Sequence, residues 1–159
     1  MSLDLYIKSK IPVKKVGTGI YVRENGKNRE LETSKEVQKY FPGTNIQERI
    51  YETTEVWHTN LTHNLRKMAD LVNPGERSLY RLLWHPDSIV NVTWANDLFR
   101  CYQELRRNKD SLKPLENENK SGGEIWGTYE DLHDTLRSLI EFLLEIDYYN
   151  NEYLIVACV

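Results

Sequence analysis

The sequence predicts an α+β domain in which a small, mainly antiparallel sheet joins the N- and C-terminal strands and packs against about four helices. Three observations predict it. Residues 3–7 alternate apolar and polar side chains, as a half-buried strand does. Residues 153–159 form a continuous apolar run, the pattern of a strand covered on both faces. Between them, residues 62–145 carry apolar side chains at helical spacing, punctuated by Pro and Gly. At 159 residues the chain reads as a single domain over residues 1–159, long enough to bury a core without disulfides.

The elements follow in order. Residues 8–19 are basic and interrupted by Pro12, Gly17 and Gly19, so a loop is expected after the first strand. Residues 20–23 and 29–31 flank Asn25-Gly26, a pair that readily takes positive φ and marks a hairpin turn. A short helix is expected over residues 34–40 with Ser34 as its cap, ended by Phe41-Pro42-Gly43. Residues 49–59 alternate as a second strand, with Tyr51, Thr53, Glu55, Trp57 and Thr59 on one face. That strand runs into a helix over 62–72 capped by Thr62, followed by a helix over 76–84 ended by Pro86. Thr93 caps the next helix, which turns Ala95, Leu98, Phe99, Tyr102 and Leu105 inward. Residues 108–123 are polar and end in Ser121-Gly122-Gly123, the composition of a mobile loop. Thr128 caps the longest helix with Asp131 in the capping-box position, and its buried stripe is Leu132, Leu136, Leu139, Ile140 and Leu143.

Apolar residues make up 40% and charged residues 28%, the proportions of a folded chain. A net charge of −3 argues against general nucleic-acid binding. The charge is unevenly spread: residues 1–50 hold ten Lys and Arg against six Asp and Glu, whereas residues 113–159 hold three against ten. Such asymmetry accommodates a local basic patch, head-to-tail pairing in a homo-oligomer, or plain solvated surface. Cys101 and Cys158 have no CxxC spacing, and the chain start lacks a basic stretch followed by an apolar run. Both features predict buried thiols in a cytoplasmic protein. No window approaches the roughly 18 apolar residues of a membrane span, so no membrane partner is expected.

Four blocks carry a resemblance. They are Ser2-Leu3-Asp4-Leu5-Tyr6; Asn60-Leu61-Thr62-His63-Asn64-Leu65 with Met68-Ala69; Leu79-Tyr80 with Leu83-Trp84-His85-Pro86-Asp87; and Trp126-Gly127-Thr128-Tyr129-Glu130. In this order they resemble a family of small proteins found in phages, prophages and bacteria, with "SLDLY", "NITHNLxxMA", "LWxPE" and "GWGxYE" blocks. The resemblance covers the chain start and roughly residues 56–159. It implies a phage-associated protein of the host cytoplasm rather than a particular chemistry. Smaller members pass almost directly from the first strand to the second, so residues 8–50, with the Asn25-Gly26 hairpin, read as an insertion. The family's "NPENGWG" stands here as Glu124-Ile125-Trp126-Gly127 after an altered loop.

Two loop-to-helix junctions concentrate polar chemistry. Asn60, Thr62, His63 and Asn64 crowd the first, and Trp126, Gly127, Thr128 and Tyr129 the second. Each offers backbone N–H groups and the positive end of a helix dipole, and the second adds aromatic faces. Opening onto one cleft, they would suit an anionic, partly aromatic small molecule such as a nucleotide. The alternatives are a capping network at the first and core packing of Trp126 and Tyr129 at the second. Lys14, Lys15, Arg23 and Lys27 surround Tyr21 and suit phosphate or an acidic partner, or simply a charged hairpin. No metal-ligand spacing joins His58, His63, His85 and His133, and the GxSxG, GxxxxGK[ST] and GxGxxG motifs do not occur. No metal and no cofactor is therefore expected. The leading functional expectation is a non-enzymatic phage accessory protein, of the anti-defence kind, that sequesters a nucleotide-like ligand or a host protein. Two alternatives stand beside it: a hydrolase of phosphate-containing small molecules with His63 as general acid or base, and an inhibitor docking a host enzyme through residues 8–50.

Overall fold

Two strands that leave the sheet together organise the chain in the computed structural model, which describes residues 2–24 and 27–159. β1 (Ser2–Gly17) and β4 (Arg49–Thr62) pair antiparallel from Ser2 opposite Thr62 to Gly17 opposite Arg49. β7 (Tyr153–Cys158) pairs antiparallel with the other side of β1, from Asp4 opposite Cys158 to Ser9 opposite Tyr153. The sheet order is therefore β4-β1-β7, and both ends of the chain meet in it as expected.

Residues 8–19 are strand as far as Gly17, not loop. Pro12 falls in the register shift between Lys8, opposite Glu55, and Val13, opposite Thr53. Its missing N–H thus lies outside the ladder, and the β-branched Val13 and Val16 resume pairing beyond it. Past Ser9 the two strands continue without β7, as a ribbon that carries an arm. The arm consists of β2 (Tyr21–Glu24) and β3 (Lys27–Glu30), paired antiparallel, and α1 (Ser34–Tyr40). The expected Asn25-Gly26 turn lies outside the described residues. Thr33, not Ser34, caps α1, its hydroxyl accepting the Glu36 N–H at 3.2 Å. Arg29 ties hairpin to helix through Glu24 and Glu36, at 3.2 and 3.0 Å. Leu31 and Val37 are fully buried here, apart from the main core.

That core lies on one face of the sheet. Leu3, Leu5 and Ile7 of β1, Leu61 of β4, and Tyr153 and Ile155 of β7 point into it. Against them pack α2 (Arg66–Asp70), α3 (Leu79–Trp84), α4 (Val92–Arg107) and α6 (Tyr129–Glu145), the last with the expected stripe from Leu132 to Leu143. The helix expected over 62–72 is reduced to a 3₁₀ turn, His63–Leu65, and the five residues of α2. Pairing with Ser2 keeps Thr62 in the strand, and Asn73, at φ +52°, turns the chain before Pro74. Ser78 caps α3, and Asn91 rather than Thr93 caps α4, its Oδ1 accepting the Trp94 N–H at 2.8 Å. Val90 donates its N–H to Tyr153 O at 2.9 Å, holding the chain extended up to that cap.

Residues 108–123 are built rather than loose. α5 (Lys109–Leu112), a 3₁₀ turn (Lys113–Asn119) and the short pair β5 (Lys120–Ser121) and β6 (Glu124–Ile125) are anchored by the buried Leu112. β7 is covered on one face only: Tyr153 and Ile155 are buried, while Leu154 is 40% exposed. Cys158, expected to be buried, is exposed at its end, whereas burial pushes the Cys101 thiol up to about 12. Among the described residues, no helix is long and apolar enough to cross a membrane.

Candidate functional site

Polar side chains gather on the face of the sheet turned away from the helices. An irregularity in β4 decides which ones. The register passes from Ile7 opposite Trp57 to Lys8 opposite Glu55, leaving Val56 as an extra residue. Val56 and Trp57 both pack against the core, and Trp57 sends its indole N–H to Ser138 Oγ at 3.2 Å. A bulge of this kind resets the alternation. Tyr51, Thr53 and Glu55 therefore share a cleft with His58, and the strict alternation expected through Trp57 and Thr59 is broken.

The arm folds over this face. Lys15 of β1, Tyr21 of β2, Glu30 of β3 and Tyr51 of β4 meet around one carboxylate. Tyr51 Oη donates to the Glu30 oxygens at 2.8 and 3.0 Å, Tyr21 Oη donates at 3.4 Å, and Lys15 Nζ lies at 3.5 Å. The Gly19 N–H adds a donor at 3.3 Å. Gly17 makes room for the carboxylate, since a Cβ there would sit 2.0 Å from Glu30 Oε1. With Thr53, Glu55, Trp57 and His58, these residues line a cleft of about 160 Å³. Burial works to raise the Glu30 carboxyl, but the Tyr51 hydroxyl, the Gly19 N–H and Lys15 outweigh it and hold the group below its usual value. Burial, reinforced by Glu30, pushes the Tyr51 and Tyr21 phenols upward. Near neutral pH the cleft thus combines a fixed carboxylate with protonated phenols.

The network continues along β4. Asp4 Oδ1 accepts from Asn60 Nδ2 at 2.8 Å and faces His58 Nε2 at 3.2 Å. The Tyr6 ring stacks on the His58 imidazole with centroids 4.5 Å apart. Asn60 also donates to Ser2 Oγ at 3.1 Å, and Arg23 of the hairpin donates to its Oδ1 at 3.5 Å. A carboxylate-oriented imidazole beside a phenol is a group that can donate or accept a proton.

The two expected junctions do come together, as a packed contact. Asn64 Nδ2 donates to Trp126 O at 3.1 Å. Gly127, at φ +107°, lies so close that a Cβ would be 2.8 Å from Thr62 Cγ2 and 3.2 Å from Leu65 Cγ. The N–H groups at the start of α6 already have acceptors within the chain. Thr128 Oγ1 accepts from Asp131 N–H at 3.1 Å, Asp131 Oδ2 from Thr128 N–H at 3.0 Å, and Glu116 Oε2 from Tyr129 N–H at 2.9 Å. Tyr129 is a core residue whose hydroxyl donates to Leu105 O at 2.7 Å, while Trp126 is 55% exposed. At the other junction Thr62 Oγ1 accepts the Asn64 N–H at 3.4 Å, and α2 is too short to build much dipole. His63 begins the 3₁₀ turn, half-buried, and Asn60 belongs to the Asp4 network instead. Of the basic residues, Lys15 and Arg23 reach the polar face. Lys14 pairs across the ribbon with Glu52, and the Lys27 side chain lies outside the described residues.

Sequence reasoning misses Asp4, Tyr6, Glu30, Tyr51, Glu55 and His58. Asp4 and His58 are 54 positions apart and Glu30 and Tyr51 are 21 apart, so no local spacing announces them. The one legible signal is Tyr21 set among basic residues. Among the described residues no group of three or more His, Cys, Asp or Glu side chains could hold a metal ion. No protein-family model, curated protein or solved structure matches the chain.

Proposed function

We propose that this chain is a binding protein whose ligand inserts one planar, polar ring into the cleft between β4 and the β2–β3 hairpin. The observation that carries the reading is the convergence of Lys15, Tyr21, Glu30 and Tyr51, one from each of four strands, on a single lined cleft. Function belongs to such a site and not to the fold. The volume of about 160 Å³ lies below the roughly 300–1,000 Å³ of a pocket for a whole drug-sized ligand, so the remainder of the ligand lies outside. Glu55 accepts hydrogen bonds from ring N–H or amino groups, Tyr21 and Tyr51, held in place by Glu30, supply aromatic surface, and Lys15 in the lining suits a phosphate. A nucleotide-like molecule combines these features. In a phage-encoded setting the protein would act by holding such a molecule away from the host. This cleft is favoured over the Asn60–Asn64 and Trp126–Tyr129 junctions because it is an open, lined volume, whereas the junctions pack against each other at Gly127 and Thr62.

Isothermal titration against a panel of nucleosides and of linear and cyclic nucleotides tests the reading. Binding should weaken about tenfold or more in Glu30→Gln and Tyr51→Phe, and stay unchanged in Asn64→Ala. A wholly negative panel, or loss of binding in Asn64→Ala alone, overturns it. A hydrolytic reading is favoured by one observation, the Asp4–His58 pair at 3.2 Å, which orients an imidazole for acid–base work. Mass spectrometry of the bound ligand separates the two: a binding protein returns it intact, and a hydrolase does not.

A further inference from the structure

Resting on the binding reading above, we infer that the cleft selects guanine-type rings, with the Glu55 carboxylate and His58 Nδ1 accepting from the ring's adjacent N–H and amino donors. The donors of the lining are largely committed within the chain. Both phenols donate to Glu30, and Lys15 Nζ lies against the same carboxylate. The Trp57 indole N–H goes to Ser138, and Thr53 Oγ1 accepts the Glu55 N–H at 3.1 Å. Glu55 is the lining's second carboxylate, and among the described residues it makes no ion pair and accepts no hydrogen bond. Its charge helps to raise both the Tyr6 and the Tyr21 phenol, as befits a group near each of them.

His58 supplies the second free acceptor. Its Nε2 faces Asp4 Oδ1 at 3.2 Å, and that oxygen already accepts from Asn60 Nδ2. A carboxylate only accepts, so Nε2 carries the imidazole proton and Nδ1 presents a lone pair. Asp4 stands opposite Asn60, on the Ser2 side of the Tyr6–His58 pair. The two ring nitrogens point apart at a wide angle, which aims Nδ1 back along β4 towards the cleft that His58 lines. Stacking on Tyr6 fixes the plane of the ring. Among the described residues nothing hydrogen-bonds to Nδ1.

Two neighbouring acceptors call for a ring edge made of donors. Guanine offers a ring N–H beside an amino group, a pair that one carboxylate accepts side by side, and the second amino proton is left for Nδ1. Adenine and cytosine set an unprotonated ring nitrogen beside the amino group, which would meet Glu55 lone pair against lone pair. Uracil flanks its single N–H with two carbonyls. Acceptors left facing each other lose binding, so the edge sets the preference.

Isothermal titration of the 5′-monophosphates of guanosine, inosine and adenosine reads the outcome; inosine keeps the ring N–H but lacks the amino group. Guanosine monophosphate should bind about tenfold or more tighter than either of the others. His58→Phe, which keeps a ring against Tyr6 but has no Nδ1, should narrow the guanosine-over-inosine gap several-fold and leave the inosine affinity near wild type. Glu55→Gln, whose amide offers one donor and one acceptor, should weaken guanosine monophosphate about tenfold and bring adenosine monophosphate level with it. Adenosine monophosphate binding the wild type as tightly as guanosine monophosphate overturns the inference, as does an unchanged gap in His58→Phe. Failure of every nucleotide sinks the binding reading as well, whereas preference for another ring overturns the guanine assignment alone. Should His58→Phe unfold, nitrogen NMR of the wild type carries the test: Nδ1 should be the unprotonated nitrogen and should shift when guanosine monophosphate binds, and a protonated Nδ1 overturns the assignment.

Discussion

Gly127 leaves no room for a Cβ against Thr62, whose Cγ2 would lie 2.8 Å from it, and Gly127 holds φ at +107°. Two costs fall on any side chain placed there: backbone strain and a clash with Thr62 and Leu65. Together they predict that Gly127→Ala loses about 2–4 kcal/mol of stability, read as a shift in the urea midpoint. A loss under about 0.5 kcal/mol would mean that the junction is looser than a packed contact.

Arg77 predicts a larger effect than its surface position suggests. Its Nε lies 2.6 Å from Asp97 Oδ2 and its Nη1 lies 3.1 Å from Asp87 Oδ1, and Asp97 is only 7% exposed. Arg77→Ala removes the closer of two cations from a buried carboxylate, leaving it only Arg100 Nη1 at 3.6 Å, and should cost about 2 kcal/mol, while Arg77→Met combined with Asp97→Leu should cost less than Arg77→Ala alone. Denaturation of the single and double variants checks the order.

The same arginine predicts a pH dependence. Arg77, with Asn91, holds the Asp87 carboxyl below its usual 3.8 against the opposing effect of burial. A depressed carboxylate contributes stability that is fully present above the unfolded value and is lost as pH falls through the folded one. Wild-type stability should therefore decline as pH drops below about 4, and less steeply in Arg77→Ala, as thermal melts across pH would show.

Glu30 obeys the same sign from its usual value of 4.5, and its release should loosen the arm. Amide protection factors in β2 and β3, corrected for the slower intrinsic exchange in acid, should fall below that pH while those in α4 and α6 do not. Tyr51→Phe removes the donor to Glu30 and should cost about 1–3 kcal/mol, concentrated in the arm.

At α6 the reciprocal bonds of Thr128 and Asp131 predict that Thr128→Ala costs about 1 kcal/mol. Thr128→Ser, which keeps the acceptor, should restore most of it.

The parts of the fold that sequence reveals are those set by neighbours along the chain. The stripe from Leu132 to Leu143 and the Thr128 cap are local patterns and stand where expected. Other caps slip by one or two residues, from Ser34 to Thr33 and from Thr93 to Asn91, because adjacent residues cap comparably. Strand pairing settles which is used. The length of β1 past Pro12 and the bulge at Val56 are decided by the partner strand, and neither has a local signature. The cleft inherits that illegibility, since it exists only once β1, β2, β3 and β4 are in register. The junctions were legible as two helix starts, but capping chemistry is the same whether a start faces a ligand or its own carboxylates.

Val13 and Thr53, cross-strand partners at the root of the arm, have a consequence for transplantation. Partners in an antiparallel pair hold their Cα atoms about 5 Å apart, a gap that a two-residue turn spans. A chain cut after Val13 and rejoined at Thr53 through Asn-Gly would keep every residue of the main hydrophobic cluster, because Leu31 and Val37 lie outside it. The same doorway would admit a foreign hairpin, so the helical half could serve as a socket for exchangeable recognition segments.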